Sequence, residues 1–159
     1  MGKMNLAQTI KEITRHHLEE DGGLLLGQNV SAVGWVNGTV PDTRSIVELP
    51  MTDVAGAGFA VGAALTGRRT ILVIRFQDFM TLNGSPIINY AAKCNTLHGY
   101  DAPLWIRAIG TDKLGPVHSG VLHSLFMHFP GIRVCSPLTP QEYRQCWAAY
   151  LQESGPYYV

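Results

Sequence analysis

Ala55-Gly56-Ala57-Gly58-Phe59-Ala60-Val61-Gly62-Ala63-Ala64-Leu65 is followed by Thr66-Gly67-Arg68-Arg69, and then by Thr70-Ile71-Leu72-Val73-Ile74-Arg75-Phe76. The first run is almost entirely small and apolar and ends at a glycine. It predicts a buried helix over 55–65, with Thr52 or Asp53 near its N-cap. The last run is β-branched and apolar and predicts a strand over 70–76. A helix that delivers the chain into an apolar strand is half of a crossover unit, and the rest of the chain repeats the unit.

Towards the N-terminus, Leu6, Ile10, Ile13 and Leu18 recur at helical spacing until Asp21-Gly22-Gly23 stops them. Strands are expected over 24–30 and 45–49. Towards the C-terminus, Ser85-Pro86 reads as an N-cap with proline at the first helical position, opening a helix to about His98 that Gly99 closes. Strands follow over 103–109 and 132–135, with a loop and a helix over 121–129 between them. Thr139-Pro140-Gln141-Glu142 is a capping box opening a helix to about Ser154, and a sixth strand begins at 157. Alternating strands and helices imply an α/β fold with a three-layer, doubly wound, mostly parallel sheet. Ligands of such sheets bind at the carboxyl ends of the strands, here 49–53, 76–79 and 109–118.

Only 15% of the 159 residues are charged, against about a quarter in an average soluble domain, while 46% are hydrophobic and the formal net charge is zero. The length suits one domain over 1–159 with a real core. A neutral chain offers nucleic acid or an anionic membrane surface nothing to grip. A surface so poor in charge favours association, so the chain reads as a subunit with a large permanent interface rather than an adhesive monomer. Cys94, Cys135 and Cys146 form no Cys-x-x-Cys spacing, which argues against disulfides and zinc and for a reducing cytoplasm. No apolar signal segment opens the chain, and no run approaches the ~18 apolar residues of a membrane helix. Gly155-Pro156-Tyr157-Tyr158-Val159 stops inside what reads as a strand, which suggests a fragment or a further domain on another polypeptide.

The glycines of 56–62, with Asp78 about twenty residues on, invite a dinucleotide-binding reading. Their spacing is G-x-G-x-x-x-G, one residue too long, and they lie within a helix rather than at the turn after a strand. Close packing of another helix is the better account. Of the histidines, His118 follows Gly-Pro-Val in a loop at a strand's carboxyl end, where it is either a solvated side chain or a functional one. His16-His17 reads as a solvated face, and His123 and His128 as structural. No histidine pair with a carboxylate has metal-ligand spacing, so no metal site is expected on this chain. Asp53 stands at a helix start beneath a strand end, where an N-cap is the plain reading. Phe76 and Phe79 flank Gln77-Asp78 at the neighbouring strand end. The residues thus place an acid, an aromatic and a histidine near one edge, without naming a ligand.

Several segments resemble the transketolase-like pyrimidine-binding domains, closest to the beta subunits of 2-oxo acid dehydrogenase decarboxylase components. They are Leu26-Gly27-Gln28-Asn29-Val30, Pro50-Met51-Thr52-Asp53, Gly58-Phe59-Ala60-Val61-Gly62-Ala63-Ala64 and Phe76-Gln77-Asp78-Phe79. Ile88-Asn89-Tyr90-Ala91-Ala92-Lys93, His118-Ser119, His128-Phe129-Pro130-Gly131 and Cys135-Ser136-Pro137-Leu138-Thr139-Pro140 continue the series in order.

This resemblance implies an enzyme subunit that supplies the aminopyrimidine side of a thiamine diphosphate site. A companion chain would hold the diphosphate and its magnesium in a hetero-oligomer, and the pair would decarboxylate a 2-oxo acid. It assigns cofactor binding to Gln28, Asp53 and Phe79, with Phe79 packed on the pyrimidine, and catalysis to Asp53 and His118. Two positions depart from the family: Asp53 stands where a glutamate faces the ring nitrogen N1′, and Gln28 where an acid is usual. Some relatives bind potassium through backbone carbonyls at the equivalents of Leu104 and 150–155, so the resemblance also admits potassium. Family beta chains carry a further C-terminal domain that 1–159 does not supply. A carboligase subunit of the transketolase or acetoin type, and a non-catalytic interaction subunit, are the alternatives.

Overall fold

The computed structural model describes residues 4–31, 35–111 and 115–159. Helix α1 (Leu6–Glu19) leads into strand β1 (Leu24–Gly27), followed by β2 (Ile46–Glu48), α2 (Asp53–Leu65) and β3 (Thr70–Ile74). A short 3-10 turn (Gln77–Phe79) then opens α3 (Met80–Pro86), which passes through a wider π turn (Ile87–Ala91) into α4 (Ala92–His98). Strand β4 (Leu104–Ala108), single helical turns α5 (Gly115–His118) and α6 (His123–Phe126), β5 (Arg133–Val134), α7 (Pro140–Leu151) and β6 (Tyr157–Tyr158) complete the chain.

All strand pairs are parallel, in the order β2-β1-β3-β4-β6-β5. The three central strands are buried along their whole length, which is why they read as unbroken apolar runs. One face carries α2, α3 and α4, joined to the sheet through Leu26, Leu72, Ile74, Leu104 and Ile106. The other carries α1 and α7, centred on Trp105, whose ring lies 5.0–5.8 Å from those of Tyr143, Trp147, Tyr150 and Tyr157. The expected three-layer α/β architecture is therefore present. The sheet turns round between β1 and β3, because β1 leads outward to β2 while β2 returns across it to β3.

Several local expectations need correction. The helix predicted to open at Ser85-Pro86 begins at Met80, and Pro86 lies inside it. Proline has no N–H for the helical ladder, and the backbone widens into the π turn directly after it. The predicted helix over 121–129 is only the turn His123–Phe126, anchored by the buried Phe126. His118 ends a helical turn rather than lying in irregular loop, and 112–114 of the expected strand-end loop lie outside the described residues. His17 is not solvated: it is 1% exposed, its Nε2–H donates to the Arg69 carbonyl at 3.0 Å, and its ring meets Trp147 edge-on. Within α2, Ala57, Ala60 and Ala64 make the close packing, whereas Gly58 and Gly62 are exposed with no atom near the space a side chain would fill.

Candidate functional site

The turning point between β1 and β3 is where an open parallel sheet leaves a crevice at its carboxyl edge. A cavity of about 270 Å³ lies there, and Gln28, Asp53, Phe79 and His118 all line it. The four residues that sequence reasoning assigned to the site thus converge from the turn after β1, from α2, from the 3-10 turn and from α5 on one space.

Asp53 is the first residue of α2, where the helix dipole favours a carboxylate. Its hydrogen bond is not spent on capping that helix. Asn83 of α3, itself buried, donates through Nδ2 to Asp53 Oδ1 at 2.9 Å and to the Phe79 carbonyl at 2.9 Å. One amide thereby fixes both the carboxylate and the turn that carries the aromatic. A carboxylate held through one oxygen keeps acceptor capacity for a protonated ring nitrogen.

His118 is set by four neighbours. Its ring stacks on Phe76 with centroids 4.2 Å apart and meets Phe79 edge-on at 5.4 Å. Its Nδ1–H donates to Asp78 Oδ2 at 3.2 Å, an arrangement that selects the tautomer and leaves Nε2 as the other ring position. Thr111 Oγ1 donates to the His118 carbonyl at 2.6 Å, fixing the backbone of α5. Gln77, between the two phenylalanines, turns away from the cavity. Its Oε1 accepts from Leu122 N–H at 2.7 Å, tying the turn to the segment after α5.

Gln28 belongs to the turn that ends β1 earlier than the predicted 24–30, at Gly27. Asn29 has φ of 53° there, and Glu48 at the end of β2 gathers the turn. Its carboxylate accepts from the Asn29 amide, from Ser31 N–H at 2.9 Å and from Ser31 Oγ–H at 2.7 Å. Burial works to raise the Glu48 carboxyl, but hydrogen bonds from the Ser31 hydroxyl and from the amides of Ser31, Asn29 and Val30 outweigh it and hold it below its ordinary range.

Sequence reasoning did not single out Asn83 or Glu48 and read Asp78 only as a decoy. Asn83 stands in a stretch read as lying before its helix, and the Glu48 contacts join separate strand ends. Among the described residues no group of three His, Cys, Asp or Glu side chains could hold a metal ion. Nor do the carbonyls at 150–155 fit potassium. Those of Tyr150, Leu151 and Glu153 accept hydrogen bonds of 2.9–3.2 Å from the Arg69 guanidinium, which corrects that expectation.

Comparison with known proteins bears on this arrangement. The beta subunit of acetoin:2,6-dichlorophenolindophenol oxidoreductase from Cupriavidus necator is 34% identical over 70% of this chain and 34% of its own length. The 2-oxoisovalerate dehydrogenase beta subunit of Bacillus subtilis is 26% identical over 98% of this chain and 51% of its own. The chain thus spans about a third to a half of these curated relatives. A split gene transketolase, solved as an inactive beta4 tetramer, superposes on 99% of this chain and 51% of its own with a TM-score of 0.76 at 15% identity, a likeness of fold. The transketolase pyrimidine binding domain model matches residues 4–159, and the chain belongs to that family.

Proposed function

We propose that this chain supplies the aminopyrimidine side of a thiamine diphosphate site in a 2-oxo acid dehydrogenase-like enzyme, completed by a companion chain that holds the diphosphate and magnesium. The observation that carries this reading is the convergence of Asp53, Phe79 and His118 on one cavity at the sheet's turning point. The donor set suits the ring: a carboxylate fixed by Asn83 for a ring nitrogen, and an aromatic edge beside it. When bound, thiamine diphosphate supplies the carbon nucleophile and electron sink for cleavage next to a carbonyl.

In this reading Asp53 accepts a hydrogen bond from the pyrimidine ring and Phe79 packs on its face. Gln28 lines the same space from the β1 turn. His118 moves a proton at Nε2 on the substrate side, while Asp78 and Phe76 hold its ring in place. Asp78 is a positioning residue: Asp78→Asn is expected to lower turnover about tenfold while leaving cofactor affinity unchanged. The name of the Cupriavidus relative favours a second reading, an acetoin-cleaving subunit with the same site. Substrate profiling separates the two. The beta4 tetramer described as inactive supports dependence on a second chain.

The test is calorimetric titration of thiamine diphosphate and magnesium into this chain, alone and mixed with a candidate diphosphate-binding partner. Binding only in the mixture is expected. If neither sample binds while the two chains associate, the chain is a non-catalytic interaction subunit and this reading fails.

A further inference from the structure

At the amino edge of the sheet, opposite the cavity, two consecutive arginines reach into backbone. Arg68 donates through Nε to Gly22 O at 3.0 Å and through Nη2 to Gly23 O at 3.1 Å, closing the turn between α1 and β1. Arg69 goes the other way, to the end of α7. Its Nη1 donates to Tyr150 O at 2.9 Å and Glu153 O at 3.2 Å, and its Nη2 to Leu151 O at 2.9 Å and Glu153 O at 3.2 Å. The guanidinium also lies 5.0 Å from the centre of the Tyr150 ring.

The last carbonyls of a helix have no partners within it and carry the negative end of its dipole. Three carbonyls converging on one point form an oxygen cluster of the kind that binds a hard monovalent cation. Here the side chain of the residue directly before β3 supplies the positive charge. Ala102 N–H donates to Ser154 O at 2.8 Å, so the same turn is also stitched to the start of β4. The Arg69 carbonyl in turn accepts from His17 of α1. One residue therefore joins α1, β3 and α7.

We infer that the Arg69 guanidinium is an internal structural cation standing in the place of a monovalent metal ion at the α7 terminus. This chain accordingly folds and keeps its α7–β3 junction without potassium, and removing the guanidinium opens a carbonyl site that takes potassium. The inference does not rest on the thiamine diphosphate reading, because it concerns the opposite edge of the sheet and is measured without cofactor.

The experiment is the melting temperature of the full chain, wild type, Arg69→Ala and Arg69→Lys, in potassium, sodium and tetramethylammonium chloride at equal ionic strength. The wild type is expected to melt at the same temperature in all three salts. Arg69→Ala is expected to melt about 5–10 °C lower in tetramethylammonium, with at least half of the loss restored, saturably, by potassium. Arg69→Lys keeps a cation at the site and is expected to fall between, with no response to potassium. A wild type stabilised by potassium over tetramethylammonium overturns the inference, as does an Arg69→Ala chain that potassium fails to restore. If Arg69→Ala folds in no salt, a potassium response in either the wild type or Arg69→Lys overturns it, and its absence from both sustains it.

Discussion

Asp53 has one methylene fewer than the glutamate its position implies, and the hydrogen bond from Asn83 decides what remains of its freedom. If that bond sets the carboxylate for a ring nitrogen, Asn83→Ala should weaken cofactor activation and also cost about 1 kcal/mol of stability, because the half-buried Asp53 carboxylate and Phe79 carbonyl lose their shared donor. Asp53→Asn, which keeps the shape but not the charge, should lower turnover of the reconstituted complex about a hundredfold with little change in melting temperature. Kinetics and thermal melts of the two variants separate these outcomes. His17 makes a different prediction. Burial disfavours its imidazolium and holds its pKa below the ordinary 6.5, outweighing the Arg69 carbonyl and Asp21. The unfolded chain therefore binds a proton that the folded chain refuses. The His17 contribution is intact above about pH 6.5 and is lost as pH falls from there towards the folded pKa. Melts of His17→Gln, which keeps a donor for the Arg69 carbonyl, should show a shallower fall in stability below about pH 6.5 than the wild type. Arg107 is 5% exposed, and its Nη1 has no partner among the described residues; burial also lowers its pKa. Arg107→Met should leave stability unchanged or raise it, since a buried charge with no counter-ion among the described residues costs more than an apolar isostere.

Among the elements, α7 shows how directly local sequence can act. The Thr139 hydroxyl accepts from the Glu142 amide at 3.2 Å while the Glu142 carboxylate accepts from the Thr139 amide at 3.0 Å, so the expected capping box is present. The other end of α7 could not be read in this way, because its carbonyls are met by Arg69 from 81 to 84 residues away. The same contrast holds along α3 and α4. Ser85-Pro86 is a good local start signal, yet Met80, Asn83 and Gly84 are drawn into helix ahead of it by burial against α2 and the sheet. Tertiary packing outweighed a capping preference of about 1 kcal/mol. In α1, Gly23 reads as a helix stop, but its lack of a side chain also serves the His17 ring, which occupies the space a Cβ would need.

For the whole molecule, the low charge predicted an associating subunit, and the helical face beside the cavity carries the apolar surface to support one. Phe59 on α2 is 59% exposed and Met51 before it 84%, with Leu82 and Tyr90 also exposed on the same layer. Under the proposed function this face meets the companion chain or a second copy. Phe59→Lys should weaken association in sedimentation experiments without lowering the melting temperature, since little burial within the chain is lost. No helix among the described residues is long and apolar enough to cross a membrane. The sequence by itself determined the alternation of helix and strand, the three layers, the family and the four residues to look for. These depend on periodicity, capping and motif order, all local in the chain. Only the tertiary structure decided that those four residues share one cavity, that Asn83 and Asp78 hold two of them, and that Arg69 fills the end of α7. Each of these joins residues 25 or more positions apart, and such contacts arise only when the sheet closes its crevice and its helices pack.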